Sequence, residues 1–393
     1  MNTERVYLDH NATSPLRPKV ARLWRELSAE GLGNPSSLHA SGRRARAVID
    51  DARAQVADAL GVHEDEIVFT SGGTEANNLA VQSVQGRGVL LTTPIEHAAV
   101  LEVAEHLAEQ GREVKRLTVG RDGRINPDQV AFQIETSRVD LLAIGAANNE
   151  IGTIQPLAEL RPYVESAEHK PLVFVDAVQA LGRVPLDLAG ELAHVAMASF
   201  SMHKVGGPLG VGVLYVRRGT PLRPLAFGGG HEEGFRPGTE NAAAIAAAGL
   251  AVELAVEAQE REAERLRAIT RAMWDVLAEG DHDLELLGPG FDQPAARLCN
   301  TLAFAARGRD GRMLVTRFDQ EGVEVSAGSA CSSGAIEPSH VLAALGYQGE
   351  DARSGVRISL GWNTSGADCK RAVDVMGKVF CSTRATCDNR EDL

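Results

Sequence analysis

The sequence predicts an α/β fold in which a large domain holds a seven-stranded, mostly parallel sheet and a smaller α+β domain follows. Three observations support this prediction. Short, nearly continuous apolar runs alternate with helix-like segments, several of these runs end in Gly, Ser, Asn or Asp, and the pattern changes after Thr220. An apolar run without polar alternation is typical of a strand covered on both faces, and such strands separated by helices are typical of parallel sheets.

Seven such runs are the predicted strands of the large domain. Polar residues at the carboxyl ends of these strands are expected at one edge of the sheet, where ligands bind in this fold class. The predicted strands are Ile67–Thr70, Val89–Thr93, Val114–Val119, Val139–Ile144, Leu172–Val175, Val195–Phe200 and Val211–Val216.

After Thr220 a glycine-rich loop leads into Ala242–Ala248, whose alanines permit close helix packing. A long charged helix is predicted from about Val252 to Leu277, with Glu257 and Arg261 spaced for an ion pair one turn apart. We expect residues 16–262 to form the large domain and residues 1–15 with 263–380 to form the small one. The polar residues 381–393 are expected to be a frayed tail.

Composition and charge exclude several classes of protein. The chain has 393 residues, 44% of them hydrophobic, and a formal net charge of -13. This composition is too apolar for a disordered chain, and the acidic balance argues against broad nucleic-acid binding. The first residues are too charged for a signal peptide, and the longest apolar stretch, Asn241 to Val252, is too short and weakly apolar for a membrane span. We therefore expect a cytoplasmic protein without a membrane partner.

Familiar metal and nucleotide motifs are also missing. The chain has five cysteines, and an odd number in a large chain without a signal peptide predicts reduced thiols in a cytoplasm. They include no C-x-x-C pair, so we expect no structural zinc site. His231-Glu232 opens like a zinc-protease motif, but Phe235 stands where the second histidine belongs. Neither a P-loop nor a dinucleotide-binding glycine motif occurs.

Three features at predicted strand ends carry candidate chemistry. In Phe69–Asn78 a strand ends in a glycine turn and a helix begins, with Thr74 placed as its N-cap; this is either a phosphate site or a plain tight turn. Asp176 is either the partner of a cation or a cap of the following helix. Lys204 is either an imine-forming amine or a lysine that reaches solvent from a strand end.

Taken together, these three features predict a pyridoxal 5'-phosphate (PLP) site. PLP needs a phosphate anchor, a lysine that forms an imine, and an acid that keeps the pyridine nitrogen protonated so that the ring accepts electrons. The chain supplies them in this order, with Lys204 28 residues after Asp176.

Nine motifs in order make the chain resemble the NifS/IscS cysteine desulfurases, over about residues 6 to 380. Among them, Ser326–Ser333 contains Cys331 within a run of small residues. The motifs are Tyr7–Pro15, Phe69–Asn78, Glu96-His97, Asn148–Gly152, Asp176–Gln179, Ser201–Lys204, Arg236–Asn241, Ser326–Ser333 and Val356–Leu360.

The resemblance implies the fold-type I PLP architecture of the class V aminotransferase group, and it implies roles for single residues. Lys204 would be the Schiff-base lysine, Asp176 the partner of the pyridine nitrogen, and His97 the residue stacked on the ring and a possible proton carrier. Thr239 would reach the phosphate of a neighbouring subunit, which implies a homodimer. The remaining cofactor ligands would be Gln179 at the ring hydroxyl, Gly73, Thr74, Ser201 and His203 at the phosphate, and Asn149, which with Arg357 would also bind the substrate carboxylate.

Cys331 separates this family from plain transaminases, which have no use for a thiol at that position. The resemblance implies that Cys331 takes sulfur from L-cysteine as a persulfide, releases L-alanine, and passes sulfur to an iron–sulfur scaffold or a tRNA-thiolation relay protein. Cys299, Cys369, Cys381 and Cys387 lack a comparable Gly/Ser setting and are expected to be ordinary thiols. Two alternatives stay open: a related PLP lyase acting on selenocysteine or cystine, and a catalytically silent PLP-fold scaffold.

Overall fold

The structure is a computed structural model that describes residues 5–280, 282–328 and 338–387, with side chains described through residue 382. The strands are β1 (Val6–Tyr7), β2 (Ile67–Thr70), β3 (Val89–Thr92), β4 (Val114–Arg116), β5 (Val139–Gly145), β6 (Leu172–Asp176), β7 (Met197–Ser201), β8 (Gly212–Val216), β9 (Leu284–Leu286), β10 (Thr301–Ala306), β11 (Val323–Glu324) and β12 (Gly355–Ser359). The α-helices are α1 (Pro18–Ala29), α2 (Ala40–Leu60), α3 (Gly73–Ser83), α4 (Ala98–Glu109), α5 (Pro127–Thr136), α6 (Arg161–Ser166), α7 (Ala242–Glu257), α8 (Gln259–Glu279), α9 (Gly311–Gln320), α10 (His340–Ala344) and α11 (Gly366–Cys387).

The predicted seven-stranded sheet is confirmed, in the order β2-β8-β7-β6-β5-β3-β4. Strand β8 runs antiparallel to both of its neighbours, and all other pairs are parallel. Asp176 at the end of β6 pairs with Gly145 of β5 and with Ser199 of β7, so the carboxyl ends of these strands meet at one edge. Strand β4 ends at Arg116, three residues earlier than the apolar pattern predicts.

Neighbouring residues in the central strands enter two different apolar clusters. Phe174 and Leu141 pack in the cluster on one face, while Val175 and Leu142 pack in the cluster on the other. Burial on both faces explains why these strands read as continuous apolar runs rather than as alternating ones.

Helix α7 packs closely against α2, as its alanines predict. A Cβ on Gly249 of α7 would lie 3.1 Å from the Cα of Ala52 in α2, so only a residue without a side chain allows this approach. The helix is buried along most of its length and belongs to the same cluster as the sheet face next to it.

The prediction of one long charged helix from Val252 to Leu277 is wrong. The chain breaks at Ala258 into α7 and α8, whose axes differ by 67°. The apolar side of α7 faces the sheet cluster, whereas α8 contributes Leu266 to a second cluster, so the bend carries the chain from one core to the other. Arg261 lies 3.8 Å from its neighbour Glu262 and not in a helix continuous with Glu257.

The last part of the chain forms a second layer of β-structure. Strands β12, β10 and β9 make an antiparallel three-stranded sheet, and β1 pairs in parallel with β11. Val6 and Leu8 join the second apolar cluster together with Phe304, Phe318 and Phe380. The N-terminal residues are therefore packed with the C-terminal third of the chain.

Helix α11 extends to Cys387, so residues 381–387 of the expected frayed tail are helical. The segment from Lys378 to Cys387 contains neither proline nor glycine, and nothing in it stops the helix. Residues 388–393 lie outside the described residues.

Within the described part of the chain, no single helix is long and apolar enough to cross a membrane. Only the bent pair α7 and α8 meets the length and composition criteria when the two are taken together.

Candidate active site

A cavity of about 470 Å³ opens at the carboxyl edge of the large sheet. It is bounded by the residues that follow β2, β3, β5, β6 and β7, and by the N-terminal segment at Asn11 and Ala12. Ten of the residues singled out from the sequence line it: Gly73, Thr74, His97, Asn149, Asp176, Gln179, Ser201, His203, Lys204 and Arg357.

Lys204 ends a 3-10 turn, Met202–Lys204, that directly follows β7. Its Nζ donates hydrogen bonds to the carbonyl oxygens of Asn11 and Ala12, each at 2.7 Å. Both acceptors belong to the N-terminal segment within the motif Tyr7–Pro15. The sequence alone predicted no role for this segment. The amine is thus held at the cavity wall by backbone groups nearly 200 residues away in the chain (193 and 192 positions).

Asp176 is only 8% exposed, and both of its oxygens accept hydrogen bonds. Oδ2 accepts from Nδ2 of Asn77 at 2.7 Å, and Oδ1 accepts from the backbone N–H of Val178 at 3.1 Å. The second bond caps the turn after β6, where the plain alternative expected a helix. Because the first bond comes from helix α3, the carboxylate is also fixed in direction toward the cavity.

Glu96 is a second buried carboxyl group in the cavity wall, with an exposure of 4%. Oε1 accepts a hydrogen bond from the hydroxyl of Thr93 at 2.7 Å, and Gly145 leaves the space next to Oε2 open, since a Cβ there would lie 2.9 Å from that oxygen. Burial, and then repulsion from Asp176, raise the pKa of Glu96 to about 8. Glu96 therefore keeps its proton at neutral pH.

The predicted phosphate site lies at the start of helix α3, which begins at Gly73 with Gly72 as its N-cap. The prediction that Thr74 caps this helix is wrong: Thr74 is the second helical residue, because the turn uses a glycine without a capping side chain. A Cβ on Gly73 would lie 2.8 Å from Cγ2 of Val178, so only glycine fits. The amide groups of the first helical turn lack partners within the helix and favour an anion.

Ser201 at the end of β7 and His203 just after it line the cavity beside this helix start. Burial, and then the nearby charge of Lys204, lower the pKa of His203 to about 4. The imidazole is therefore neutral at physiological pH, and its Nδ1 lies 3.0 Å from the hydroxyl of Thr13. A neutral ring in this position contributes a hydrogen bond rather than a charge.

His97 is the N-cap of helix α4, and its Nδ1 accepts a hydrogen bond from the backbone N–H of Ala99 at 3.1 Å. In a neutral ring this contact assigns the proton to Nε2, because Nδ1 is already an acceptor. In that form Nε2 is a hydrogen-bond donor. Helix capping thus sets both the ring direction and the tautomer.

Arg357 lies in β12 and is almost completely buried, with 1% of its surface exposed. Its Nη2 pairs with Oδ1 of Asp9 at 2.6 Å, and its Nη1 donates to the carbonyl oxygens of Asn149 at 3.0 Å and Gly328 at 3.2 Å. Its Nε is buried without a hydrogen-bond partner among the described residues. A buried guanidinium with an unused donor at a cavity is suited to an anionic ligand.

Gln179 is 5% exposed and lies on the cavity wall between Asp176 and the N-terminal segment. Its Nε2 donates to the carbonyl oxygen of Asn11 at 3.0 Å, and its Oε1 accepts a hydrogen bond from Nη1 of Arg183. Neither Asn11 nor Arg183 was singled out from the sequence.

Of the other predicted site residues, Thr239 is exposed and does not line the cavity of its own chain. Cys331 lies outside the described residues. Of the other cysteines, Cys299 and Cys369 are buried, and burial raises the pKa of both thiols, that of Cys369 to about 12. These two thiols are therefore poor nucleophiles.

The residues present fit PLP. The cavity brings together an amine, a buried carboxylate and a helix start at which Gly73 excludes any side chain. The buried Oδ1 of Asn77 and Nε of Arg357 have no partner among the described residues, so each can form a hydrogen bond with a polar ligand. Among the described residues there is also no cluster of three or more His, Cys, Asp or Glu side chains suited to a metal ion.

Comparison with known proteins agrees with this geometry. A family model described as "Aminotransferase class-V" matches residues 6–371. The chain is 40% identical over 381 residues to "Cysteine desulfurase IscS" of Dictyoglomus turgidum, covering 95% of this chain and 94% of that protein. The solved structure "NIFS-LIKE PROTEIN" matches with a TM-score of 0.87 and 33% identity over 96% of this chain and 99% of the other. "SspA in complex with cysteine" matches with a TM-score of 0.75 and 33% identity, over 90% of this chain and 98% of the other. The chain belongs to the class-V aminotransferase family, among its cysteine desulfurases of the IscS/NifS type.

Proposed function

We propose that the protein is a PLP-dependent cysteine desulfurase that converts L-cysteine to L-alanine and keeps the sulfur as a persulfide on Cys331. The observation that carries this proposal is one cavity that contains the amine of Lys204, the carboxylate of Asp176 and the buried guanidinium of Arg357. The names of the relatives point to the same activity, and one similar structure is of a protein "in complex with cysteine".

PLP, when bound, supplies an electron sink for the carbon atoms of the amino acid. In this chain the first turn of α3, Ser201 and His203 would hold its phosphate, and Asp176 would hold its pyridine nitrogen. The hydrogen bond from Asn77 fixes the orientation of the Asp176 carboxylate. The protonated Glu96 adds no second negative charge beside it. Lys204 would hold the aldehyde carbon and remove or return protons at the substrate carbon.

Arg357 would bind the substrate carboxylate. Asp9 and two backbone carbonyls fix its guanidinium plane, and the unpartnered Nε remains for the ligand. An arginine held in this way loses little freedom when it binds an anion, so the position of the substrate is set before it arrives.

Cys331 would attack the substrate sulfur. The described residues on both sides of it contact the cavity wall: the carbonyl of Gly328 accepts from Arg357, and Nε2 of His340 lies 3.0 Å from the carbonyl oxygen of Glu96. In the transfer a sulfur–sulfur bond forms and the substrate carbon–sulfur bond breaks. The electron pair of that bond stays with the carbon, which takes up the proton that the attacking thiol gave up. L-cysteine plus a thiol gives L-alanine plus a persulfide, so no outside oxidant is needed.

The assembly and the sulfur acceptor are also part of the proposal. We infer a homodimer in which Thr239 reaches the neighbouring phosphate site. Thr239 is exposed and belongs to the same glycine-rich loop as Phe227, which is 91% exposed, and Leu209, which is 70% exposed, lies at the cavity rim. The acceptor would be an iron–sulfur scaffold or a tRNA-thiolation relay protein. Buried free thiols at Cys299 and Cys369 favour a reducing compartment such as the cytoplasm.

The division into a large domain (16–262) and a small domain (1–15 with 263–380) remains a proposal. Two separate apolar clusters support it. One contains residues between Val20 and Ala255, and the other contains Val6 and Leu8 together with residues between Leu266 and Phe380.

The test is the substitution Cys331→Ala in the PLP-loaded enzyme. We expect alanine production from cysteine to be lost while the visible PLP absorbance is kept and still changes when cysteine is added. Alanine production at the wild-type rate would refute the role of Cys331, and absence of any PLP absorbance in the wild-type protein would refute the proposed function as a whole.

A further inference from the structure

Arg183 lies behind the cavity wall, next to two residues of the candidate site. Its Nη1 donates to the side-chain Oε1 of Gln179 and, at 3.1 Å, to the backbone carbonyl of the same residue, while its Nη2 donates to the carbonyl of Lys204 at 3.2 Å. The residue itself is partly exposed, but burial of its charged group lowers the pKa to about 10. It therefore remains positively charged at neutral pH.

The chemistry of a guanidinium decides how the Gln179 amide is oriented. An amide group has one end that accepts hydrogen bonds and one that donates them, whereas a guanidinium only donates. Gln179 must therefore turn its oxygen toward Arg183, which sends its Nε2 to the opposite side. There it donates at 3.0 Å to the carbonyl oxygen of Asn11, the same oxygen that accepts from Nζ of Lys204.

The donor end of Gln179 is thus placed beside the Lys204 amine, on the wall of the cavity. Without Arg183 only the carbonyl oxygen of Asn11 would select this orientation of the amide, and the flipped form, which presents an oxygen instead, would be populated more often. An oxygen there would face the ring oxygen of the cofactor and repel it.

We propose that Arg183 is a positioning residue that fixes the Gln179 amide with its N–H groups toward the cofactor site, so that Gln179 donates to the ring oxygen of PLP. This inference rests on the proposed function, since it concerns how the same site receives its cofactor.

Three substitutions at residue 183 separate this role from simple packing. Arg183→Lys retains a group that only donates, Arg183→Met removes the donor, and Arg183→Gln introduces a group that both donates and accepts. The measurement is the affinity of the apoenzyme for PLP. We expect Arg183→Lys to stay within about threefold of the wild type, and both Met and Gln to weaken binding about tenfold, the equivalent of one lost hydrogen bond. Equal affinity in all four proteins would overturn the proposal.

Substitution of Gln179 to Ala supplies the decisive control. If Arg183 acts through the amide, Arg183→Met should weaken PLP binding less than threefold in the Gln179→Ala protein, although it does so about tenfold in the parent. A tenfold effect in both backgrounds would mean that Arg183 acts by another route and would overturn the inference. Thermal unfolding of each apoenzyme confirms that the variants are folded. Failure of the wild-type protein to bind PLP would instead refute the proposed function.

Discussion

Glu96 makes the stability of the apoenzyme depend on pH in a direction opposite to that of most carboxyl groups. Its ordinary pKa of 4.5 is raised to about 8 in the folded protein, first by burial and then by Asp176. Between these two values the folded state binds a proton that the unfolded state has released. The stability that this proton contributes is therefore present at low pH and is lost as the pH rises toward 8.

The substitution Glu96→Gln isolates this contribution, because glutamine keeps the shape and can still pair with the hydroxyl of Thr93 but does not titrate. Linkage over a shift of this size predicts that the wild type loses about 3.5 kcal/mol relative to the variant between pH 5 and pH 8. Asp176 and His97, which act electrostatically on Glu96, are present in both proteins, so their own contributions largely cancel in the difference.

Urea unfolding of both apoenzymes at several values between pH 5 and pH 8 measures the difference directly. The unfolding free energy of the wild type minus that of the variant should be larger at pH 5 than at pH 8. A difference in unfolding free energy that stays constant within about 0.5 kcal/mol across this range would show that Glu96 has an ordinary pKa and would refute the reasoning.

Three further predictions concern the cavity. Asn77→Ala removes the 2.7 Å hydrogen bond to Asp176 and should weaken PLP binding of the apoenzyme about tenfold, as one lost hydrogen bond to a charged group implies; unchanged affinity would contradict this. Gly73→Ala places a Cβ 2.8 Å from Val178 and should lower the unfolding free energy by about 1–3 kcal/mol. In the control Gly377→Ala in α11 the Cβ meets nothing within 4 Å, so this variant should raise the unfolding free energy by about 0.5–1 kcal/mol. The opposite order of the two effects would refute the packing argument. Arg357→Lys should raise KM for cysteine at least tenfold, with a smaller effect on kcat, because a lysine cannot reproduce the fork held by Asp9; steady-state alanine formation tests this, and an unchanged KM would exclude Arg357 from substrate binding.

The sheet could be predicted from the sequence because its strands are buried on both faces and therefore have continuous apolar runs. The break at Ala258 could not, since it contains neither glycine nor proline and is decided by which core each helix joins. The helix cap at Gly72 was missed because a glycine cap carries no side-chain signal.

The candidate site shows the same limit. Residues of typical chemistry at strand ends, such as Asp176 and Lys204, were identified from the motifs that contain them. Their supporting partners were not, because Asn77 is 99 positions from Asp176 and Asn11 is 193 positions from Lys204. Arg183 carries no motif signal at all, and only the folded structure places its guanidinium against Gln179.

The most direct test of the central claim is to find where the sulfur goes in a single turnover. PLP-loaded enzyme is mixed with less than one equivalent of L-cysteine, without reductant, and its peptides are analysed by mass spectrometry after thiol alkylation. The account predicts one added sulfur on the peptide that contains Cys331, matched by an equal amount of L-alanine. Alanine formed in full while that peptide carries no added sulfur would contradict it.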